Sequence, residues 1–418
     1  MRRRWLAGLL SLGAPSALVL GLSAPFMLAA QAAWAGQTGQ AAAETAAPRA
    51  PTSLKDREIA YVLVNEYWAV YETPDGKEEC PQGLNDGARE QFKQLFPENG
   101  TKYTLRDSAM AREAATWFPT TDKDQFEFRE ASGKYAYGLN LDGKMTGPNK
   151  FTGPDGETGV DDQLYRVIGC ISNYRKNGTL NIFTNQYMQE KNYNRVVVDL
   201  TNVDSLTNDD DVAVSIYRGM NRLLPDGTGS DYAPGGSQRL DFKWGKQFIS
   251  HTHGRIVNGV LTTDPMDVVL PAKQTSPDTT VHVIKGMRLR LNLTPESAKG
   301  VLAGYTDVDA FYRQMIGSWS TLILSYGQLS PPSVYKALHR LADGYPDPKT
   351  GENTAISSAI NVDFRQVFIV RDGKELQPPS QHVTAATQQD LRCRYFGDCG
   401  RTFANVAAAG RQATVSAH

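Results

Sequence analysis

The sequence has few cysteines and lacks the short motifs by which many enzymes are identified. It contains four cysteines in 418 residues, with no Cys-x-x-Cys and no Cys-x-x-Cys-His. A zinc knuckle or a covalently attached haem is therefore not supported. No Gly-x-Ser-x-Gly occurs, which removes the signature of a serine hydrolase of the α/β class. The chain thus offers no motif that names a reaction.

The chain also lacks an excess of charge of either sign. Its formal net charge is −1, with 44 Lys and Arg against 45 Asp and Glu. Without residues 1–35, which contain three arginines and no acidic residue, 41 basic residues face 45 acidic ones and the charge is −4. This balance gives no electrostatic reason to bind nucleic acid, and we predict no nucleic-acid partner.

The N-terminus has the three parts of a secretory signal peptide. Three arginines precede an apolar run from about Leu6 to Ala30, and small residues precede Gly36. We predict that residues 1–35 are removed on export, which places the protein in the periplasm or outside the cell. No later segment approaches the ~20 apolar residues that span a bilayer, so we predict no transmembrane segment in the mature chain.

Composition divides the rest of the chain into four parts. Residues 36–56 contain few large apolar side chains and are predicted to be a disordered linker. We predict a mixed and helical segment with an acidic, glycine-rich loop at 57–194, a β-sandwich-like region at 195–373, and a polar tail at 374–418. The tail is expected to carry a short disulfide loop.

The even number of cysteines predicts disulfide bonds in an oxidising compartment. Four cysteines allow three pairings. We favour Cys80 with Cys170 and Cys393 with Cys399, because the second two share one short tail segment while the first two lie in the body of the chain.

From Arg195 onward the apolar pattern is typical of strands. In residues 281–294 apolar and polar side chains alternate, which indicates a strand with one buried face. The alternation runs through Met287, Arg288, Leu289, Arg290, Leu291, Asn292 and Leu293. We predict a mainly β, α+β fold: an antiparallel β-sandwich or jelly-roll-like domain with packed helices from the first third of the chain.

Four further segments have readable patterns. The stretch from Ile59 to Glu72 is so apolar that it suits a strand or a buried helix equally. Helical spacing of apolar residues predicts one helix after Asp307 and another after Ser330. A further helix is expected to begin near residues 161–162, where an aspartate would cap it.

The segment 140–162 is the most unusual part of the chain, because oxygen-bearing side chains alternate there with glycines. Calcium prefers six to eight oxygen ligands and tolerates irregular geometry. We therefore predict a calcium site in this loop, although the spacing does not fit an EF-hand. A solvated loop whose aspartates form turns and cap a helix explains the same residues. The predicted ligands are Asn140, Asp142, Asp155, Glu157, Asp161 and Asp162.

Two histidines offer a different metal site. His251 and His253 lie two apart on a predicted strand, so their side chains would point to the same face and could share a metal ion. The spacing Gly245-x5-His251-x-His253 resembles the opening of the cupin metal motif, and that family includes many oxygenases and isomerases. The glutamate of the motif has no counterpart in residues 254–259.

These observations lead to two competing functions. The first is an exported non-catalytic binding or structural module, stabilised by calcium, whose partner is a glycan or another envelope component. Its aromatic residues, including Trp68, Trp117, Trp244, Trp319 and 18 tyrosines, could form a stacking platform for sugars. The second is an enzyme on the same scaffold: a cupin-like metal-dependent one using His251 and His253, or a carboxylate-based one. The sequence leaves open whether the protein is an enzyme.

Overall fold

The computed structural model describes residues 57–74, 79–84, 128–191, 195–242, 245–272, 281–315 and 331–370. They belong to one compact unit that runs from Thr52 to His418. The predicted signal peptide, linker and tail lie outside the described residues. So do the predicted Cys393–Cys399 pair and three of the tryptophans, Trp117, Trp244 and Trp319.

Long strands dominate the described part of the chain, and four α-helices accompany them there, together with short 3-10 helices at Ser172–Tyr174 and Lys246–Phe248. The strands are β1 (Ile59–Trp68), β2 (Phe151–Thr152), β3 (Thr158–Val160), β4 (Val196–Thr201), β5 (Asp209–Arg218), β6 (Gly236–Gln238), β7 (Ser250–Val257), β8 (Val260–Thr263), β9 (Met266–Pro271), β10 (Val281–Leu293), β11 (Ser297–Asp307), β12 (Gly344–Pro346) and β13 (Asn353–Ile369). The helices are α1 (Leu164–Ile168), α2 (Thr179–Lys191), α3 (residues 308–315 as described) and α4 (Pro331–Leu341).

Eight strands form one sheet that closes on itself. Each pairs antiparallel with the next in the order β1, β4, β5, β7, β8, β10, β11, β13, and β13 pairs back with β1. We call this closed sheet the ring. The other strands of the sheet add to its edges: β9 pairs with β10, and β12 and β6 pair with β13, β6 in parallel.

The mainly β, α+β fold class is therefore confirmed. The β-sandwich or jelly-roll arrangement is not confirmed, because the long strands described here share one continuous set of pairings. It stays a prediction.

The inside of the ring is the hydrophobic core. The alternation in β10 is confirmed, because Met287, Leu289 and Leu291 are fully buried while Arg288 and Arg290 face outward and stay partly exposed. All eight strands contribute to this one cluster. The burial of one face of every strand is therefore what closes the sheet.

Strand β1 resolves the ambiguity of the first apolar stretch. Its odd-numbered residues Ile59, Tyr61 and Leu63 belong to the inner core, whereas the residues between them pack in a second cluster with Val197 and Val367. Burial on both faces removes the polar alternation of a half-exposed strand, which explains why periodicity could not identify it.

Strand β11 was not predicted from the sequence. It carries Gly300 and Gly304 where a strand pattern needs larger side chains. A Cβ atom at Gly300 would lie 1.9 Å from the carbonyl oxygen of Arg290, so the close approach of β10 excludes any side chain there. Residues that weaken the local strand pattern are thus required by the pairing of the two strands.

Helices α2 and α3 cover the end of the ring where β1 finishes and β10 begins. The predicted helix after Asp307 is α3, and the Ala310 N–H donates to Oδ1 of Asp307 at 3.0 Å. The predicted helix after Ser330 is α4. Within the described residues, no helix is both long and apolar enough to cross a membrane.

Candidate functional site

The acidic segment lies against the outer face of β10, β11 and β13. Leu139 and Leu141 pack there with Ala303 and Ala359. Arg288 donates to the Leu141 carbonyl at 2.9 Å. The alternating pattern predicted only that the arginines of β10 lie on a solvent-exposed face. In the structure these outward arginines hold the acidic segment on the ring.

Lys150 occupies the centre of this segment. Its Nζ lies 2.5 Å from Oδ1 of Asp142 and 2.5 Å from Oδ1 of Asp161, and only 8% of the lysine side chain is exposed. Burial disfavours the charge of Lys150, but its hydrogen bonds to the two aspartates outweigh burial and raise its pKa. The positive charge between Asp142 and Asp161 is thus supplied by a side chain of the protein itself, Lys150.

The other predicted calcium ligands have separate partners. Asn140 Oδ1 accepts the Gly143 N–H at 2.8 Å, and Asp155 Oδ1 accepts the Glu157 N–H at 3.2 Å. Glu157 pairs with Arg290 at 2.7 Å. No three Asp, Glu, His or Cys side chains of the described ranges are grouped as metal ligands. The calcium site stays a prediction.

Asp162 is buried and lies close to Asp343. Burial raises its pKa well above the usual range, against the hydrogen bond from the Tyr165 N–H, and the nearby charge of Asp343 raises it further. Burial also raises the pKa of Asp343 to about 6, against hydrogen bonds from Ser357. Two neighbouring carboxyl groups with raised pKa values thus lie beside the start of α1, where the N-cap residue is Gln163 and makes no capping side-chain hydrogen bond.

His251 and His253 lie on the outer face of β7, and both are exposed. Each makes its own contact across to β5: His251 Nδ1 lies 2.8 Å from Ser215 Oγ, and His253 Nδ1 lies 2.6 Å from Asp211 Oδ1. The expected shared face is present. A metal bound by both histidines stays a prediction.

The predicted disulfide between Cys80 and Cys170 is present, with the two Cα atoms 4.8 Å apart. It joins the segment after β1 to a position two residues beyond the end of α1, across 90 positions of sequence. Both cysteines are buried in the main core.

Tyrosines lie side by side on the surface near the acidic segment. The Tyr71 ring centroid is 5.7 Å from that of Tyr135 and 5.9 Å from that of Tyr137. Tyr135 is 47% exposed. Burial raises the pKa of Tyr137, and the neighbouring Tyr71 and Tyr67 raise it further. We call Tyr67, Tyr71, Tyr135 and Tyr137 the tyrosine surface.

Charged side chains border the tyrosine surface. The Lys176 ammonium lies 5.3 Å from the ring centroid of Tyr67, and the exposed Glu72 lies close enough to Tyr137 to raise its pKa. Sequence reasoning pointed to an aromatic platform but not to these four residues, because they come from two segments about 65 positions apart and no local pattern connects them.

A cavity lies at the helix-covered end of the ring. It has a volume of about 490 Å³ counted out to its open mouth. The Trp68 ring closes one side, with its centroid 5.2 Å from those of His282 and Phe311. The cavity is lined by Glu66, Tyr67, Trp68, Asn181, Thr184, Val196, Leu270, Pro271, Ala272, His282, Gln314 and Ile360.

Glu66 and His282 are the cavity groups whose pKa values are clearly shifted. Burial raises the pKa of Glu66 to about 7 and lowers the pKa of His282 to about 3. Burial therefore shifts both groups toward their neutral forms, although Glu66, with a pKa of about 7, is still partly ionised at neutral pH.

Glu66 and His282 should change stability with pH in opposite directions. The folded pKa of Glu66 exceeds its ordinary value of 4.5, so its contribution to stability is lost as pH rises from about 4.5 to 7. The folded pKa of His282 is below its ordinary value of 6.5, so its contribution is lost as pH falls from 6.5 toward 3. We expect Glu66→Gln to make the protein more sensitive to acid and His282→Gln to make it less so, each by at most about 1.4 kcal/mol per pH unit.

Urea unfolding at several pH values between 4.5 and 7 measures both effects. Equal pH slopes for the wild type and the two variants would show that neither group is buried as described.

No protein-family model, no curated protein and no solved structure matches this chain.

Proposed function

We propose that this protein is an exported, non-catalytic module that binds a glycan of the cell envelope on its tyrosine surface. The observation that most directly supports this function is the exposure of neighbouring tyrosine rings, with Tyr71 between Tyr135 and Tyr137. The apolar C–H faces of sugar rings stack on aromatic side chains, and the phenol hydroxyls remain free to hydrogen-bond. Lys176 and Glu72 add charged donors and acceptors at the border.

The acidic segment supports this proposal by holding the platform in place. Tyr135 and Tyr137 immediately precede it, and Arg288 and Arg290 hold its start on the ring through the carbonyls of Leu141 and Gly138. A rigid platform loses little conformational entropy on binding. Calcium would strengthen the segment only by competing with Lys150 for Asp142 and Asp161, or by binding elsewhere in the loop.

The test combines Tyr71→Ala with Tyr135→Ala and measures binding to a glycan array and, for each hit, by calorimetry. We expect the double variant to lose at least about tenfold in affinity, because each stacked ring contributes on the order of 1 kcal/mol. Tyr217→Ala is the matched control, since Tyr217 is a partly exposed tyrosine on β5, across the ring from β11. Failure of the wild type to bind any glycan, or equal affinities in all three proteins, contradicts the proposal.

A carboxylate-based hydrolase is the second candidate, favoured by the adjacent carboxyl groups of Asp162 and Asp343. Glycoside hydrolases use one such group as the acid and another as the base or nucleophile. Release of shortened oligosaccharides by the wild type, with loss of that release in Asp343→Asn, would favour this function over binding alone. The metal-dependent alternative requires bound iron, zinc or copper that is lost when His251 and His253 are both changed to alanine.

A further inference from the structure

We propose that the cavity at the helix-covered end of the ring binds the head of a primary alkylammonium ion. This site shares Tyr67 with the tyrosine surface but takes a different class of ligand. The proposal rests on the hydrogen-bonding groups that line the cavity, on its size and on its apolar wall.

The cavity contains a buried acceptor that has no partner. Gln314 is 8% exposed, and its Oε1 is buried without a hydrogen bond in the described structure. A buried amide oxygen in this state costs roughly 1–3 kcal/mol unless a donor reaches it. A bound donor would remove this cost.

Glu66 adds an acceptor of opposite charge to an ammonium ion. Its backbone N–H and carbonyl both bond the side chain of Asn185, which fixes the position of the residue on β1. Burial alone accounts for the shift of its pKa, and within the described residues its carboxyl has neither an ion pair nor a hydrogen bond. A cationic ligand would supply the missing counter-charge.

The hydrogen bonds of His282 make its second ring nitrogen an acceptor as well. Ser358 must donate its only hydroxyl proton to the Gly304 carbonyl, so Thr306 donates to Ser358 across 2.7 Å. His282 Nε2 must then donate to Thr306 across 2.9 Å. Because the ring is neutral, Nδ1 carries a lone pair and no proton.

An anionic ligand, or a neutral one that only accepts hydrogen bonds, would need hydrogen-bond donors from the cavity wall, and those of Asn181 are already used. Both N–H groups of the Asn181 side chain are used, one by the Tyr174 carbonyl at 3.0 Å and one by the Arg175 carbonyl at 2.6 Å. The acceptors of Glu66, Gln314 and His282 thus line the cavity beside the hydroxyls of Tyr67 and Thr184, which can also accept. A primary ammonium group has three N–H donors and no acceptor, which matches this set.

Size and wall composition restrict the ligand further. The enclosed part of the cavity has room for about two water-sized groups, and an ammonium head has that size. Leu270, Pro271 and Ile360 provide apolar surface for an alkyl stem. The Trp68 ring at the same wall can add a cation–π contact.

The test uses n-butylammonium chloride as the probe, measured by ligand-observed NMR and calorimetry at constant ionic strength. We expect saturable binding, and we expect Glu66→Gln and Gln314→Leu each to weaken it by at least about tenfold, since each removes one acceptor of a charged donor. n-Butanol, which has the alkyl stem without the charge, and tetramethylammonium, which has the charge without N–H donors, should bind at least about tenfold more weakly.

Each other outcome overturns the proposal. If the cavity holds only water, n-butylammonium does not bind. If binding is nonspecific, tetramethylammonium binds equally well or both variants retain full affinity. If Glu66→Gln does not fold, the affinity of Gln314→Leu and the comparison of the three probes still decide whether the cavity binds a primary ammonium group. The variant with Tyr71 and Tyr135 changed to alanine should keep full affinity for n-butylammonium, because neither tyrosine lines the cavity.

Discussion

Replacing Lys150 by methionine should lower the free energy of unfolding by about 3–5 kcal/mol, because it leaves the buried carboxylate of Asp161 without its cation. The Lys150 side chain is 8% exposed and that of Asp161 is 4% exposed, and their charged atoms lie 2.5 Å apart. Methionine keeps most of the volume and apolar surface of the lysine stem, so the loss reports the missing charge. Urea unfolding at neutral pH, followed by far-UV circular dichroism, measures it.

Lys144→Met is the matched control for this measurement. Lys144 also pairs with Asp142, at 3.4 Å, but its side chain is 75% exposed. Water already screens that pair, and we expect a change of less than about 0.5 kcal/mol. Similar losses in the two variants would contradict the central role assigned to Lys150.

The Lys150→Met variant also tests the predicted calcium site. Without Lys150, the carboxylates of Asp142 and Asp161 become available to a metal ion. Recovery of stability by Lys150→Met on addition of calcium, but not of sodium at equal ionic strength, would show that this loop can hold calcium. A wild-type protein that gains stability from calcium would place the ion at other oxygen ligands of the segment.

Removing the disulfide should have an effect of similar size. We expect Cys80→Ala combined with Cys170→Ala to lower the free energy of unfolding by about 4 kcal/mol. The bond joins residues 90 positions apart and so reduces the conformational entropy of the unfolded chain. Unfolding in urea, without reductant, compares the variant with the wild type.

Wild-type protein unfolded in the presence of dithiothreitol provides the control for lost side-chain packing. It should show the same decrease as the double variant, because the reduced thiols keep nearly the volume of the bonded cysteines. A decrease in the variant alone would assign the effect to the two buried cavities left by alanine.

The acidic segment shows where prediction from sequence ends. Its composition predicted a calcium ion bound by the oxygen side chains of residues 140–162, and that site stays a prediction. Composition alone did not indicate that Lys150, inside the same segment, occupies that place between Asp142 and Asp161. Loop glycines such as Gly159, with φ of +79°, bring residues into contact in ways that no periodic pattern encodes.

The cavity was outside the reach of sequence analysis. Glu66, His282 and Gln314 lie on β1, β10 and α3, more than 200 positions apart at the extremes. Each has an ordinary local setting, and only the closing of the ring places them around one space. No spacing rule could therefore have selected them.

The sequence by itself determined the mainly β character, the alternation in β10, the helices after Asp307 and Ser330, and the preferred pairing of Cys80 with Cys170. Each of these depends on neighbouring residues or on a choice among few cysteines. The tertiary structure alone decided the closure of the sheet, the cation at the acidic segment, the tyrosine surface and the cavity. The reason is physical: backbone preference and side-chain periodicity act over a few residues, whereas closure and burial depend on contacts between strands that are far apart in the chain.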